Sequence, residues 1–323
     1  MGAIWKKRLG RAALLFVGLW LLAVLFAHPF FAVVAPSGSK VLVAEGWMHD
    51  EGLKEAATLF LEGGYEHLYL TGTPRPFAYY LHDGDTINVQ FAKPTSGELL
   101  LGAAGLPGAS WSLMIDGSTA RSGAVDDELS DNTIDLDNAR DVRIIASSKA
   151  PPPSGEPILF IGRLLMDGVN AHLLDAVMTI HRADGSEEPG RPTFAHEAYF
   201  ILQGDGIPAD RMTVVPTWTV DKSRTLSTAH DFISFANAHG VTSFDVATLA
   251  VHARRTRNMY RKARGAKDGV GVVALHDRWC QRWTWWMNYY GWFQVGKELV
   301  AWPAPWLIND SGTGTGTSAQ DPA

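Results

Sequence analysis

Three hydrophobic patterns follow one another along the chain. The first is a block. Residues 12–27 are sixteen positions without a charge or a strongly polar side chain, His28 and Pro29 interrupt the run, and residues 30–35 resume it. Crossing the roughly 30 Å hydrocarbon layer takes about 20 apolar residues, so the full run is long enough, with Pro29 kinking the helix near its outer end. No polar face recurs at helical spacing, which argues against a buried core helix. Residues 12–34 are therefore expected to meet the lipid bilayer as an uncleaved anchor. A cleaved signal peptide is the alternative: Ala35 offers a small residue at a cut site, but Pro36 would directly follow the cut.

The second pattern is an α/β rhythm. Residues 40–45 (KVLVAE) are a nearly continuous apolar run, as a buried parallel strand requires. Residues 50–63 carry Leu53, Ala56, Ala57, Leu59 and Phe60 at helical spacing, and Gly63-Gly64 stops the helix. Residues 67–72 (HLYLTG) read as a second buried strand. The rhythm returns near Thr193, with helices expected over 193–203, 223–238 and 252–263 and strands over 212–215, 243–250 and 270–275. A last helix is expected over 281–301.

Between these pieces the period changes to two. Residues 86–91, 110–116 and 141–146 alternate, with turn residues at Pro94, Gly97, Pro107-Gly108, Asp116-Gly117 and Ser122-Gly123. Short strands with such turns predict an antiparallel sandwich. Residues 151–155 are a stiff break, 156–162 are one more strand, and 163–192 give no clear period. The expected architecture is a Rossmann-like parallel sheet with helices on both faces, interrupted by an inserted antiparallel β-sandwich. The boundaries are 1–36 for a basic stub and anchor, 37–80 with 191–308 for the α/β domain, 81–190 for the insert, and 309–323 for a disordered low-complexity tail.

Charge narrows the function. The 323 residues hold 28 Lys and Arg against 34 Asp and Glu. Lys6, Lys7, Arg8 and Arg11 precede the first acid, Glu45, so the rest carries 24 basic against 34 acidic residues. That balance is a poor match for nucleic acid, which is not expected as a partner. The basic stub should stay in the cytoplasm and the bulk of the chain outside it. Cys280 is the single cysteine, so an intramolecular disulfide or a multi-cysteine metal site is excluded. There is no P-loop, no Gly-x-Ser-x-Gly elbow and no His-Glu-x-x-His. No cofactor and no metal are expected. Eight acids between Asp116 and Asp141 match no calcium loop and read as a solvated negative rim.

The α/β pieces resemble the YdcF/SanA/ElyC-like family, a domain of unknown function in bacterial envelope proteins. The resemblance rests on VLVAEGW (41–47), EGGYEHLYLTGT (62–73), GIPADRMTVV (206–215), DKSRT (221–225) and HARR (252–255), in that order behind an anchor, and it covers about half of the chain. Two departures stand out: the first strand ends in Glu45-Gly46-Trp47 rather than a Gly-rich turn, and Arg224 replaces an Asn common in the family. The resemblance implies a role in cell-envelope biogenesis or barrier maintenance, with a phosphorylated, polyprenyl-phosphate-linked intermediate as partner. The insert resembles small carbohydrate-binding modules in style, so envelope polysaccharide is the alternative partner.

Ligands of open parallel sheets bind beyond the carboxyl ends of the strands. The residues expected there are Glu45, Gly46, Thr71, Gly72, Thr73, Arg75, Lys222, Arg224, Thr225, His252, Arg254 and Arg255. The positive ones, with helix amino ends, suit a phosphate or pyrophosphate. His252 and Glu45 are the candidates for acid–base work, and phosphoester or pyrophosphate hydrolysis is the matching reaction. Each has a plainer role: Thr225 a helix cap, the arginines a solvated helix face, Gly72 a backbone requirement, Glu45 a partner for one of the arginines. Seven of the twelve tryptophans fall between Trp279 and Trp306. Trp283, Trp286, Tyr290 and Phe293 recur at helical spacing, which suits core packing, a membrane-facing surface or stacking on sugars.

Overall fold

The computed structural model describes residues 2–307 apart from 151, 153, 154 and 222. Lys222 and the tail over 309–323 thus lie outside the described residues. The chain divides into two compact units. One joins the residues up to Thr71 with those from Ala198 onward, and the other is the continuous stretch Gly72–Glu197.

The first unit begins with α1 (Gly2–Phe31), whose stretch Gly10–Phe31 is long and apolar enough to cross a membrane. A short linker then docks on the sheet: Ala35 bridges Val272, and the Ser37 amide donates to Asp245 Oδ1 at 2.6 Å. The sheet has five strands, β1 (Val41–Glu45), β2 (His67–Gly72), β3 (Met212–Pro216), β4 (Phe244–Leu249) and β5 (Val270–Leu275), in the order β3-β2-β1-β4-β5. The β1–β2, β1–β4 and β4–β5 pairs are parallel. All six residues of β4 are buried, including Asp245, which accepts from the Ser37 amide and the Tyr65 hydroxyl.

Around the sheet stand α2 (Asp50–Glu62), α3 (Phe194–Gly204), α4 (Arg224–Ala238), α5 (Ala253–Arg264), α6 (Tyr289–Ala301) and the short α7 (Ala304–Leu307). Ala229, Phe232, Ile233 and Ala236 of α4 form one core with Val43, Val215, Phe244, Val246, Tyr260 and Val270. The last helix is shorter than its pattern suggests. It starts at Tyr289, because Asn288 caps it by accepting from the Gly291 amide at 2.7 Å. Trp283 and Trp286 precede it, the latter in a turn of 3₁₀ helix, Trp285–Met287. A second core joins Phe31 to Val251, Cys280, Trp285 and Val295. The end of α1 is therefore part of this unit's packing.

The second unit is a nine-stranded antiparallel sheet. It is one curled sheet and not two stacked ones. The strands Thr86–Gly105 and Ser130–Ser148 run 20 and 19 residues, far past the stretches whose alternation marks them. Their pairing shifts register near Thr95, the kind of irregularity that lets a long strand bend. The first part of Thr86–Gly105 pairs with Ala176–His181 and its last part with Leu159–Met166. One core built on Trp111, Leu101, Ile144 and Ile161 fills the curl. The acids between Asp116 and Asp141 are mostly exposed; Asp116 accepts from the Arg140 and Asp141 amides, and Asp131 pairs with Arg163.

Candidate functional site

A cluster of buried titratable side chains gathers at the carboxyl ends of β1 and β4. Glu45 closes β1 and is 2% exposed. Its Oε2 accepts from Thr256 Oγ1 at 3.3 Å. Burial raises its pKa; the nearby Thr248 and Thr256 hydroxyls and the charges of Arg255 and His252 pull the other way without overcoming it. The next amide, of Gly46, is tied to the Thr71 carbonyl at 2.7 Å. Thr71 is fully buried, its hydroxyl 3.4 Å from both the Ala44 carbonyl and the Tyr260 hydroxyl.

After β4 the chain turns sharply. Ala250 has φ +29°, a region that a side chain rarely occupies, and the 3₁₀ turn Ala250–His252 leads directly into α5. Such strain costs on the order of 1 kcal/mol and concentrates at functional turns. The turn buries His252, whose Nδ1 lies 2.6 Å from Glu298 Oε1. Arg255 Nη2 is also 3.3 Å from that nitrogen, but both groups are donors if Nδ1 carries its proton. The shorter contact to a carboxylate decides: Nδ1–H donates to Glu298. The polar contacts of His252 among the described residues thus fall on Nδ1, and its ring meets Trp47 edge to face at 5.1 Å.

Glu298, on α6, is completely buried and is the centre of the cluster. Arg255 grips it with two nitrogens, Nε at 2.8 Å and Nη2 at 3.0 Å, and spends Nη1 on Thr225 Oγ1 at 3.1 Å. Burial works to raise the pKa of Glu298, but the hydrogen bonds from His252 and Arg255 and their charges hold it down to about 2. It is therefore a carboxylate whenever the protein is folded near neutral pH. Lys297 stands beside it within the field of Arg255 and Arg224; desolvation first, and then those two charges, lower its pKa against the opposing pull of Glu298 and Asp277.

The expected residues separate as follows. Glu45, Gly46, Thr71, Thr225, His252 and Arg255 gather around β1, β2, β4 and the start of α5. Arg255 is not a free anion clamp, because Glu298 and Thr225 occupy its fork. Arg254 leaves the cluster: it lies 4.1 Å over the Phe30 ring and its Nε donates to the Phe30 carbonyl, so it fastens α5 to the end of α1. Arg224 is exposed at the start of α4. Gly72, Thr73 and Arg75 belong to the second unit. There Gly72 has backbone of Phe194 and Ala195 where a Cβ would stand, and the Thr73 carbonyl accepts from the Phe194 amide at 3.0 Å. Arg75 pairs with Glu197 at 3.2 Å and donates to the Arg191 and Ala78 carbonyls, a structural role. Glu298 is the residue the sequence reading missed. It is the lone acid between Asp277 and Asp310, in the most aromatic part of the chain, and a solitary carboxylate in such a setting asks for a buried cation.

A cavity of about 300 Å³ opens nearby, lined by His28, Pro29, Ala250, Leu275, Asp277 and Arg282 among others. It lies between the end of α1 and the carboxyl ends of β4 and β5. Cys280 also lines it; burial and the charge of Asp277 push its thiol up to about 12, so it is unreactive there. Among the described residues, no group of three or more His, Cys, Asp or Glu side chains is arranged to hold a metal ion.

No family model matches the chain, and no curated protein matches it. Two solved structures are faintly similar. One is the M60 catalytic domain with the CBM51-1 and CBM51-2 domains of Clostridium perfringens ZmpB, at 11% identity and TM-score 0.16, covering 45% of this chain and 19% of that one. This chain thus spans about a fifth of its length. The other is a family two carbohydrate esterase from Cellvibrio japonicus, at 9% identity and TM-score 0.17, covering 73% of this chain and 96% of that one. Likeness at that level carries no argument about fold or function.

Proposed function

We propose that the chain is a single-pass membrane protein of the YdcF/SanA/ElyC-like kind. It binds an anionic, phosphorylated intermediate of cell-envelope biogenesis at the carboxyl edge of its parallel sheet and hydrolyses a phosphoester or pyrophosphate bond there. The basic residues in the first turns of α1 (Lys6, Lys7, Arg8 and Arg11) face the cytoplasm and the chain beyond α1 lies outside it. The strand order β3-β2-β1-β4-β5 is that of a Rossmann-like sheet, with the β-rich unit inserted between β2 and α3. In such a sheet the ligand crevice opens where the order reverses, between β1 and β4.

One observation carries this reading: Glu45, at the end of β1, and His252, just after β4, stand at that switch point, with His252 oriented by a buried, ionised Glu298. A carboxylate that fixes Nδ1–H leaves Nε2 as the basic nitrogen. His252 then takes a proton from the attacking water as its oxygen bonds to phosphorus. Glu45, favoured in its protonated form by burial, gives a proton to the oxygen that departs. Arg224 and Lys297, with the amino end of α4, neutralise the phosphate. Arg255 acts through Glu298 and Thr225 as a positioning residue.

The test is calorimetric titration of the full chain in nanodiscs with a short-chain polyprenyl diphosphate. The Arg224→Ala/Lys297→Ala variant should bind at least about tenfold more weakly. Equal affinity in the variant overturns the assignment.

A second reading has its own observation. On the β-rich unit, Tyr80 is 62% exposed and leans on Phe160 at 4.8 Å, a tilted aromatic pair open to a sugar face. In that reading the unit holds envelope polysaccharide, and Tyr80→Ala abolishes retention on insoluble glycan. Undiminished retention removes it.

A further inference from the structure

The stretch between Arg282 and Lys297 holds fourteen residues without a charge: Trp283 to Gly296. That is too short to span a bilayer and the right length for a segment that enters one leaflet. Its exposed side chains are mostly aromatic or apolar, with Tyr289 83%, Met287 67%, Trp283 64% and Phe293 52% exposed, and Thr284 and Asn288 are the polar ones among them. The buried face of α6 is the other one, Gly291, Gln294, Val295 and Glu298, spaced three and four apart. The aromatic stripe that suited core packing by its spacing is thus largely turned outward.

The depth of this surface is set by α1. Trp286 meets the Trp20 ring edge to face at 5.6 Å, and Trp285 Nε1 reaches the Val24 carbonyl at 3.4 Å. At 1.5 Å per residue, Val24 and Trp20 lie about 10 Å and about 16 Å below Phe31 along the helix. A helix that crosses the hydrocarbon over Gly10–Phe31 has Trp20 near its middle. Any bilayer around α1 therefore surrounds the Trp283–Phe293 region as well.

Three side-chain donors of the segment fit that surrounding. Trp286 Nε1 donates to the Trp283 carbonyl at 3.0 Å, Trp292 Nε1 to the Trp286 carbonyl at 2.8 Å, and Gln294 to the Tyr290 hydroxyl at 2.6 Å. Satisfying donors internally is what a low-dielectric medium demands. At the upstream end Arg278 and Arg282 lie over the Trp279 and Trp283 rings at 4.9 and 4.7 Å, the cation–aromatic pairing typical of a headgroup layer.

We infer that residues 283–296 are a monotopic membrane-embedded segment, which sinks through about one leaflet beside α1 and sets the Glu298–His252 site at the level of the lipid headgroups. The partner is the bilayer itself. The substrate class follows, resting on the function proposed above: an amphiphile whose phosphate sits at the interface while its tail stays in the lipid.

The experiment uses the full chain, with Cys280→Ala, reconstituted in phosphatidylcholine/phosphatidylglycerol vesicles. A bimane is attached at Met287→Cys, at Leu22→Cys in α1, or at Ser234→Cys on α4. Nitroxides on the lipid acyl chains should quench the bimane at 287 at least about half as strongly as at 22, and the bimane at 234 scarcely at all. Quenching at 22 but not at 287 overturns the inference and leaves the anchor standing. If the bimane at 287 instead self-quenches between copies, the face belongs to a second copy of the chain and the inference is equally overturned. No quenching at 22 contradicts the anchor, and with it both proposals.

Discussion

Glu298 and His252, 46 positions apart, meet at 2.6 Å inside the protein, and Arg255 closes the pair by gripping the same carboxylate with two nitrogens. The contact joins α6, which carries the outward aromatic face, to the turn after β4, where the proposed acid–base residue His252 sits.

Removing that carboxylate charge should be severe. Glu298→Gln leaves the buried Arg255 without its counter-charge and leaves one acceptor oxygen where His252 and Arg255 now share two. Breaking one partner of a buried ion pair costs roughly 3–5 kcal/mol. Denaturant unfolding of the detergent-solubilised full chain should register a loss of that order, and a loss below about 1 kcal/mol would mean that the cluster is not a structural centre.

The acid limb of stability carries the same signature. The pKa of Glu298 is about 2 when folded against an ordinary 4.5, so the folded state holds this proton less tightly. Its contribution is complete above about 4.5 and is lost as the pH falls from there towards 2. A difference of that size amounts to about 3 kcal/mol. Stability measured down this range should fall more steeply for the parent than for Glu298→Gln.

Glu45 should behave in the opposite sense. Its pKa is raised by burial, so its ionised form is the one disfavoured by folding. Stability from this group is present at low pH and declines as the pH rises above the ordinary carboxylate value. Glu45→Gln should therefore leave stability at neutral pH unchanged or higher, by up to about 1 kcal/mol, while abolishing hydrolysis. A marked destabilisation would assign Glu45 to the structural ion network instead.

Trp285 tests the union of α1 with the sheet. It is fully buried among Phe31, Val251, Cys280 and Val295. Trp285→Ala should cost about 3–5 kcal/mol and raise proteolysis of the linker over 32–40. Unchanged cleavage would separate α1 from the packed unit.

How much of this was legible in the sequence depended on whether the signal was local. The strands of the parallel sheet were readable because burial on both faces makes them continuous apolar runs, as over 41–45 and 270–275. The curl of the antiparallel unit was not, since its longest strand breaks its alternation at Lys93-Pro94 and Gly97 and resumes it. In the site, Glu45 and His252 could be placed from their positions just after strands. Arg254 and Arg255 could not be told apart, because adjacent helix positions point about 100° from each other and only the packing says that one meets Phe30 and the other Glu298. The last helix misled for a related reason. Trp283, Trp286, Tyr290 and Phe293 keep a helical period across a cap at Asn288 that the aromatic pattern conceals.

The central claim is acid–base chemistry on a membrane-borne phosphate, and the release of inorganic phosphate tests it most directly. The full chain in nanodiscs is supplied with a short-chain polyprenyl diphosphate, and the parent is compared with His252→Ala. The parent should release phosphate and His252→Ala at least about a hundredfold less, with ligand affinity kept. Binding without any release by the parent, or equal release by the variant, would contradict it.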